Sequence, residues 1–225
     1  MSILVIIAVS AIAAFAVMIA VFICAWKFPE SISGHFIWGV AMLLGVCSCI
    51  LLGMRGVAPD LLSIVLANIL FCSMLALMIA AISQFYEQPI PWKLSWFWVF
   101  FISVALIYSG ATEQGLHVRA QVLSWPKGIL FVTAGWIIIK NISVSEFHVG
   151  ATAVMLSFIV AGLVTISRAI TYFGWGGGYE GMLTESVIQR AYIMSQGGGL
   201  LIASIGFIVM GYEKLAETQA AREST

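Results

Sequence analysis

The sequence ILVIIAVSAIAAFAVMIAVFICAW, residues 3–26, decides the fold, because this 24-residue stretch carries no charged side chain. About 20 apolar residues are enough to cross the hydrocarbon core of a bilayer as a helix. The stretch is too long for the apolar part of a signal peptide, and no basic residue precedes it. It therefore predicts a first transmembrane helix.

The composition of the whole chain agrees with this first segment. Its 225 residues are 62% hydrophobic and 9% charged, and the mean hydropathy is +1.08. Soluble domains carry roughly 25% charged residues, and disordered chains carry few apolar ones. Ten Lys and Arg balance ten Asp and Glu, so no electrostatic attraction to nucleic acid is expected. The class that these numbers leave is a polytopic membrane protein.

Further apolar segments follow the first one, separated by short loops. The sequence predicts an all-α protein, a polytopic integral membrane bundle of seven transmembrane helices. Residues 1–212 form this transmembrane domain, and residues 213–225 form a short helical segment in the cytoplasm. The seven predicted spans are 3–26, 35–53, 61–84, 94–109, 120–139, 148–167 and 187–212.

The few basic residues indicate an orientation. Lys27 follows the first span, which predicts an outside N-terminus and, with seven spans, a cytoplasmic C-terminus. Apart from Lys127, which lies in the fifth span, five basic residues then lie inside and four lie outside or near that surface; four of the inner ones are lysines, and the outer ones are all arginines. The inner set is Lys27, Lys93, Lys140, Lys214 and Arg222, and the outer set is Arg55, Arg119, Arg168 and Arg190.

Charged side chains in or near apolar spans are the strongest indication of function, since each costs at least about 2–3 kcal/mol unless it is paired or hydrated. Arginine also binds carboxylates and phosphates through two hydrogen bonds at once. Glu185, Gln189, Tyr192 and Gln196 share one face of the seventh span, and Asn68 faces the bundle in the third. We expect a pocket between helices for a small, anionic or polar ligand. Its predicted lining is Arg119, Arg168, Arg190, Gln189, Tyr192 and Asn68.

A structural interpretation of the same charges stays open. Four outer carboxylates can pair with the four arginines as interfacial ion pairs, without any ligand. Asp60 also follows Ala58-Pro59, where it suits the N-cap of the third span. The four carboxylates are Asp60, Glu113, Glu180 and Glu185.

Two interruptions of the apolar pattern also predict local structure. Pro126 should kink the fifth helix or mark its first turn, and Lys127 beside it must reach the membrane surface or find a partner. The triplet Gly197-Gly198-Gly199 permits either close helix approach or local unwinding of the seventh helix.

No enzymatic, metal-binding or cofactor-binding pattern is expected. The four cysteines lie in apolar runs and are interpreted as buried thiols, because no His or carboxylate accompanies Cys47 and Cys49. A membrane haem needs two histidines that face each other across helices at similar depth, whereas His35 and His148 lie at predicted cytoplasmic helix starts and His117 lies on the other side. No hydrolase or paired-carboxylate motif occurs.

Two stretches carry a family resemblance, GMRGVAPDLLSIVLAN at residues 53–68 and GFIVMGYEKL at residues 206–215. Together with seven helices, they resemble the N-terminal membrane sensor regions of bacterial diguanylate cyclases, the GGDEF signalling proteins. The chain contains no GGDEF signature, so no cyclase activity is expected of it. The resemblance implies an input module of the bacterial inner membrane, a cytoplasmic C-terminus that leads to an output domain absent from this chain, and a homodimer through the C-terminal helix.

The sequence thus predicts a membrane sensor that binds a small ligand between helices and passes the change along the last helix to the cytoplasm. Its expected partners are the lipid bilayer, the small ligand and a second copy of the chain. The alternative is a small transporter or channel, which needs polar groups along a water-accessible path.

Overall fold

The computed structural model describes residues 3–27, 33–111, 116–142, 148–174 and 187–223. Within these ranges the chain is helical, and its only β-type pairing is one isolated bridge between Arg55 and Ala58. The elements are α1 (Ile3–Lys27), α2 (His35–Gly53), a π-helical turn (Leu61–Leu66), α3 (Ala67–Phe85), α4 (Trp92–Ala111), α5 (Leu116–Asn141), α6 (Val149–Gly174) and α7 (Val187–Glu223).

Five helical units of the described chain are long and apolar enough to cross a membrane. They belong to α1, α2, the π-helical turn with α3, α6 and α7. The all-helical prediction is thereby confirmed, and apolar helices of this length fit a lipid bilayer. The remaining two helices, α4 and α5, complete the set of seven.

Six of the helices close a ring. Each packs on the next in the order α1, α2, α3, α5, α6, α7, and α7 returns to α1. Helix α4 lies outside this ring, where it contacts α3, α5 and the π-helical turn. Its aromatic side chains, such as Trp96, Phe97 and Phe100, are accordingly exposed, as expected for a helix that faces lipid.

Glycines let the helices of the ring approach closely, because there is no hydrophobic drive between helices in lipid and association depends on tight packing. A Cβ added to Gly150 would lie 2.5 Å from the main-chain nitrogen of Met210 and 2.7 Å from the carbonyl oxygen of Gly206. Helices α6 and α7 therefore touch backbone to backbone at this crossing.

An aromatic layer joins α2 to α7 inside the ring. The Trp38 ring stacks on Phe207 at 4.1 Å between centroids, and Trp38 Nε1 donates a hydrogen bond to Ser204 Oγ at 3.0 Å. His35 is fully buried, and its Nε2 donates to the Phe207 carbonyl oxygen at 2.9 Å. Since a carbonyl only accepts, this contact sets the Nε2-protonated form of the imidazole.

The structure contradicts the predicted N-cap at Asp60 and excludes one of the two alternatives predicted for Pro126. Asp60 makes no capping hydrogen bond, because its backbone is already helical (φ −55°, ψ −32°) and an N-cap needs a non-helical one. The N-cap prediction is therefore wrong, and the segment opens with a π-helical turn instead. Pro126 lies inside the continuous helix α5 rather than in its first turn.

The structure distinguishes between the two alternatives predicted for the glycine triplet of the last span. Helix α7 runs without a break through Gly197, Gly198 and Gly199 to Glu223. A Cβ on Gly197 would meet Ser10 Oγ at 2.5 Å, whereas one on Gly198 would meet nothing within 4 Å. The triplet thus serves close approach of α1, and the helix is not unwound there.

The α6–α7 crossing predicts a large effect of a single methyl group. Gly150→Ala should destabilise the protein by about 1–3 kcal/mol, because the methyl collides with backbone that cannot rotate away. Gly198→Ala is the matched control and should be neutral or slightly stabilising, since alanine favours helix and the space is open. Thermal unfolding in detergent measures both. Equal midpoints for the two variants would contradict the backbone contact.

Candidate functional site

A cluster of polar side chains lies inside the helical ring and joins four of its helices. We call it the polar cluster. Two of its members, Lys127 and Arg168, are cations that are only 5% exposed. Its residues are Asn68 on α3, Ser124 and Lys127 on α5, Thr165 and Arg168 on α6, and Tyr192 and Gln196 on α7.

Lys127 lies near the middle of α5, about 17 Å along the helix from its first residue at 1.5 Å per residue. Its ammonium donates a hydrogen bond to Asn68 Oδ1 at 2.7 Å and lies 4.6 Å from the centroid of the Phe71 ring. Among the described residues, no carboxylate forms an ion pair with it. An amide dipole and an aromatic face therefore stabilise this buried cation.

The π-helical turn positions Asn68 for this contact. Asn68 Nδ2 donates to the carbonyl oxygen of Ile64 at 2.7 Å, so its amide oxygen is left to face Lys127. Ser48 of α2 donates to the Ala67 carbonyl oxygen at 2.7 Å, which ties the end of the same turn to a neighbouring helix. Single π-helical turns occur frequently at functional sites.

Arg168 connects α6 to α5 and α7. Its Nη1 donates to Ser124 Oγ at 2.9 Å, and its guanidinium carbon lies 4.2 Å from the centroid of the Tyr192 ring. Planar guanidinium groups stack well on aromatic faces, especially where water is excluded. Two residues of the predicted pocket, Arg168 and Tyr192, are therefore in direct contact.

Gln196 lies about one turn deeper on α7 than Tyr192. Its Nε2 donates to Thr165 Oγ1 at 2.7 Å, while the Thr165 hydroxyl donates to the Ala161 carbonyl oxygen at 2.6 Å. Since the only hydroxyl proton of Thr165 is used there, its oxygen must accept, and this fixes the orientation of the Gln196 amide. Gln196 Oε1 then has no hydrogen-bond partner among the described residues.

A small cavity of about 70 Å³ adjoins the polar cluster, between helices α1, α2, α3, α5 and α7. Lys127, Tyr192 and Gln196 line it from the cluster, and Ser10 and Gly197 line it where α1 meets α7. Most of the remaining wall is apolar. We call this space the lysine cavity.

The predicted pocket residues do not all meet in one place. Asn68 is buried, as its helical spacing predicts, but it contacts Lys127 and not an arginine. Arg190 is half-buried on the first turn of α7. Arg119 and Gln189 lie on the first turns of α5 and α7, and their side chains lie outside the described residues, as do Glu113, Glu180 and Glu185.

The predicted lining omits four residues of the polar cluster: Lys127, Gln196 and the hydroxyl residues Ser124 and Thr165. Lys127 was visible in the sequence as a charge inside an apolar span, for which a partner was expected. The hydroxyl residues gave no such signal, because isolated Ser and Thr are common in membrane helices and bond their own backbone.

A second, larger cavity of about 310 Å³ lies at the opposite end of the ring, where α3, α5, α6 and α7 meet. There Lys214 Nζ lies 3.4 Å from Glu87 Oε1, and His148 Nδ1 lies 3.8 Å from Glu217 Oε1. Burial, with a smaller contribution from the charge of Glu213, raises the pKa of Tyr86 to about 12. These contacts tie the exposed end of α7 to the ends of α3 and α6.

Metal binding has no support among the residues that the structure describes, which contain no group of three His, Cys, Asp or Glu side chains placed to hold an ion. No family model, no curated protein and no solved structure is significantly similar to the chain. The geometry of the polar cluster is therefore the main basis for a function.

The Lys127–Asn68 contact predicts strong coupling between two substitutions. Asn68→Leu should destabilise the protein by about 1–3 kcal/mol, because it leaves a buried ammonium without its acceptor. Combining it with Lys127→Met should cost less than Asn68→Leu alone, since the cation is then gone too.

Thermal midpoints in detergent measure this cycle, and each kcal/mol corresponds to about 2–4 °C for a chain of this size. Lys140→Met is the matched control, because Lys140 is exposed on the same helix. Simple additivity of the Asn68 and Lys127 substitutions would show that the two side chains do not stabilise each other.

Proposed function

We propose that the chain is a membrane-embedded signal-input module. In this proposal seven helices cross the bilayer, a small anionic ligand binds at the polar cluster, and α7 carries the change to the cytoplasmic side. The observation that supports it is the Lys127 ammonium, which is 5% exposed, has no carboxylate partner among the described residues, and lines a cavity that five residues of α7 also line. A buried cation of this kind favours an anion nearby.

The length of α7 supports transmission. Its 37 residues extend for about 55 Å at 1.5 Å per residue, whereas the hydrocarbon core of a bilayer is about 30 Å thick. Tyr192 and Gln196 lie near one end, and the exposed residues of 216–223 lie at the other. A shift of α7 at the polar cluster therefore reaches the far side as a rigid displacement.

The aromatic layer favours a sensor over a transporter. Trp38, Phe158 and Phe207 are at most 1% exposed and fill the ring between the lysine cavity and the 310 Å³ cavity. Their rings pack at centroid distances of 4.1 and 6.1 Å around Trp38. A transport path needs polar, water-accessible groups at this depth.

The arrangement of the helix ends supports the proposed orientation, with the N-terminus outside and the C-terminus in the cytoplasm of a bacterium. Cys24, near the end of α1, contacts Tyr212 of α7, and the 310 Å³ cavity is lined by the ends of α3 and α5 and the start of α6. Lys27, Lys140 and Lys214 thus gather at one end, as the positive-inside rule expects for the cytoplasmic face of an inner membrane.

The proposal also draws on the resemblance to the sensor regions of diguanylate cyclases. In that setting, the exposed end of α7 would couple to an output domain and pair with the same helix of a second copy. Crosslinking of the exposed Ala220, after substitution by cysteine, tests the pairing in nanodiscs. A chain that stays monomeric at every protein concentration would contradict the dimer.

The signalling proposal predicts that small anions move α7. Spectroscopic labels at the exposed residues Gln88 and Ala220 would report the distance between the α3–α4 loop and the end of α7. In nanodiscs at constant ionic strength, we expect chloride, nitrate, phosphate or acetate to change this distance by about 1–2 Å or more, the size of typical helix shifts. Lys127→Met should abolish the response.

Lys140→Met is the control and should respond as the unsubstituted chain does. A distance that none of the anions changes would refute the proposal, and so would an undiminished response of Lys127→Met. Uptake of the same anions into vesicles that contain the protein would support the transporter instead.

A further inference from the structure

Exposed tryptophans and lysines occur together at the start of α4 and at the end of α5. The two helices are in contact, and α4 lies outside the helical ring, so this part of the surface faces the surrounding lipid. We call these residues the tryptophan edge. It consists of Trp92, Lys93 and Trp96 on α4 and Trp136 and Lys140 on α5, all of which are exposed.

The 310 Å³ cavity shows at which end of the bundle the tryptophan edge lies. Glu87, shortly before the start of α4, and Asn141, the last residue of α5, both line that cavity. Lys93 and Lys140 therefore lie at the same end of the bundle. In the proposed orientation this end is cytoplasmic, and the cytoplasmic leaflet of a membrane is the one that carries a negative surface potential from anionic lipids.

The two lysines of the edge have no carboxylate partner among the residues that the structure describes. The acidic residues at this end have other contacts. Glu87 lies 3.4 Å from Lys214 Nζ, and Glu213 and Glu217 contact the start of α6. The positive charge of the edge is thus uncompensated within the described chain, and it is available to an anion outside the protein.

The tryptophans of the edge add apolar surface beside these charges. Trp92 and Trp96 stack at 6.4 Å between ring centroids, and they are 40% and 46% exposed. On α5, the Lys140 ammonium lies 5.5 Å from the centroid of the exposed Trp136 ring. An indole has an apolar ring and one N–H donor, which suits it to the headgroup level of a membrane. The edge therefore matches a molecule that has both an anionic group and apolar chains.

We propose that the tryptophan edge binds anionic phospholipids of the cytoplasmic leaflet. Lys93 and Lys140 donate hydrogen bonds to headgroup phosphates, and the indoles cover the region where headgroup and acyl chain join. The acyl chains then lie along α4, where Phe97 and Phe100 are exposed. This site is separate from the polar cluster, and it does not depend on the signalling proposal.

Native mass spectrometry of the full chain in detergent tests the proposal. The probes are phosphatidylglycerol, which is anionic, and phosphatidylcholine with the same acyl chains, which has no net charge. We expect phosphatidylglycerol to bind about tenfold more tightly or better, since a lysine near an anionic lipid surface contributes about fivefold in affinity. Lys93→Gln and Lys140→Gln should each weaken its binding by about fivefold and leave phosphatidylcholine binding unchanged.

Lys27→Gln is the matched control, because it removes the same charge from the same end of the bundle. Lys27 is exposed, but it lies on α1, which is opposite α5 in the helical ring. Its substitution should leave phosphatidylglycerol binding unchanged. Lys93→Arg and Lys140→Arg keep the charge and should retain the affinity. Inorganic phosphate at constant ionic strength should not displace the lipid, because it has no acyl chain to cover the indoles.

Three results would overturn the lipid site. Equal binding of the two lipids to the unsubstituted chain would show that the edge does not recognise charge, and this comparison requires no variant to fold. An effect of Lys27→Gln as large as that of Lys93→Gln would reduce the site to a diffuse attraction. Displacement of the lipid by inorganic phosphate would replace it with a site for free phosphate. The response of α7 to small anions tests the signalling proposal independently of all three.

Discussion

The buried ammonium of Lys127 is the constraint around which the polar cluster is organised. A cation inside a ring of apolar helices costs several kcal/mol unless dipoles or charges compensate it. Here the compensation comes from the Asn68 amide oxygen and the Phe71 ring. The amide is held by the Ile64 carbonyl oxygen, so the π-helical turn at the start of α3 is tied to the same requirement.

The cluster also shows how α7 is held against α6. Arg168 and Thr165 on α6 hold Tyr192 and Gln196 through a stacked ring and a hydrogen bond. Toward the other end of the bundle, the same two helices touch backbone to backbone at Gly150 and are separated by no side chain. This crossing therefore leaves no gap between the two backbones, and α6 and α7 form a tightly packed pair.

Apolar patterning predicted the helices well because each needs only length and the absence of charge. All seven were found close to the predicted segments, although α4 and α5 begin earlier than expected. The ring order was not predictable, since it depends on where glycines such as Gly150 and Gly206 meet. The π-helical turn and the failed Asp60 cap were missed because nothing in Pro59-Asp60 distinguishes a helical from a capping backbone.

The site was predicted in part for a related reason. Sequence spacing places Tyr192 and Gln196 on one face of a helix, but it does not say which helix they meet or how deep the contact lies. The predicted pocket was placed among arginines near helix ends, whereas Lys127 lies near the middle of α5. The position of a charge along a membrane helix decides what it costs. A charge near the interface is hydrated, whereas a charge at mid-helix must be stabilised by the protein. The lysine inside an apolar span therefore indicated the polar cluster as directly as Arg168 did, although the predicted lining left it out.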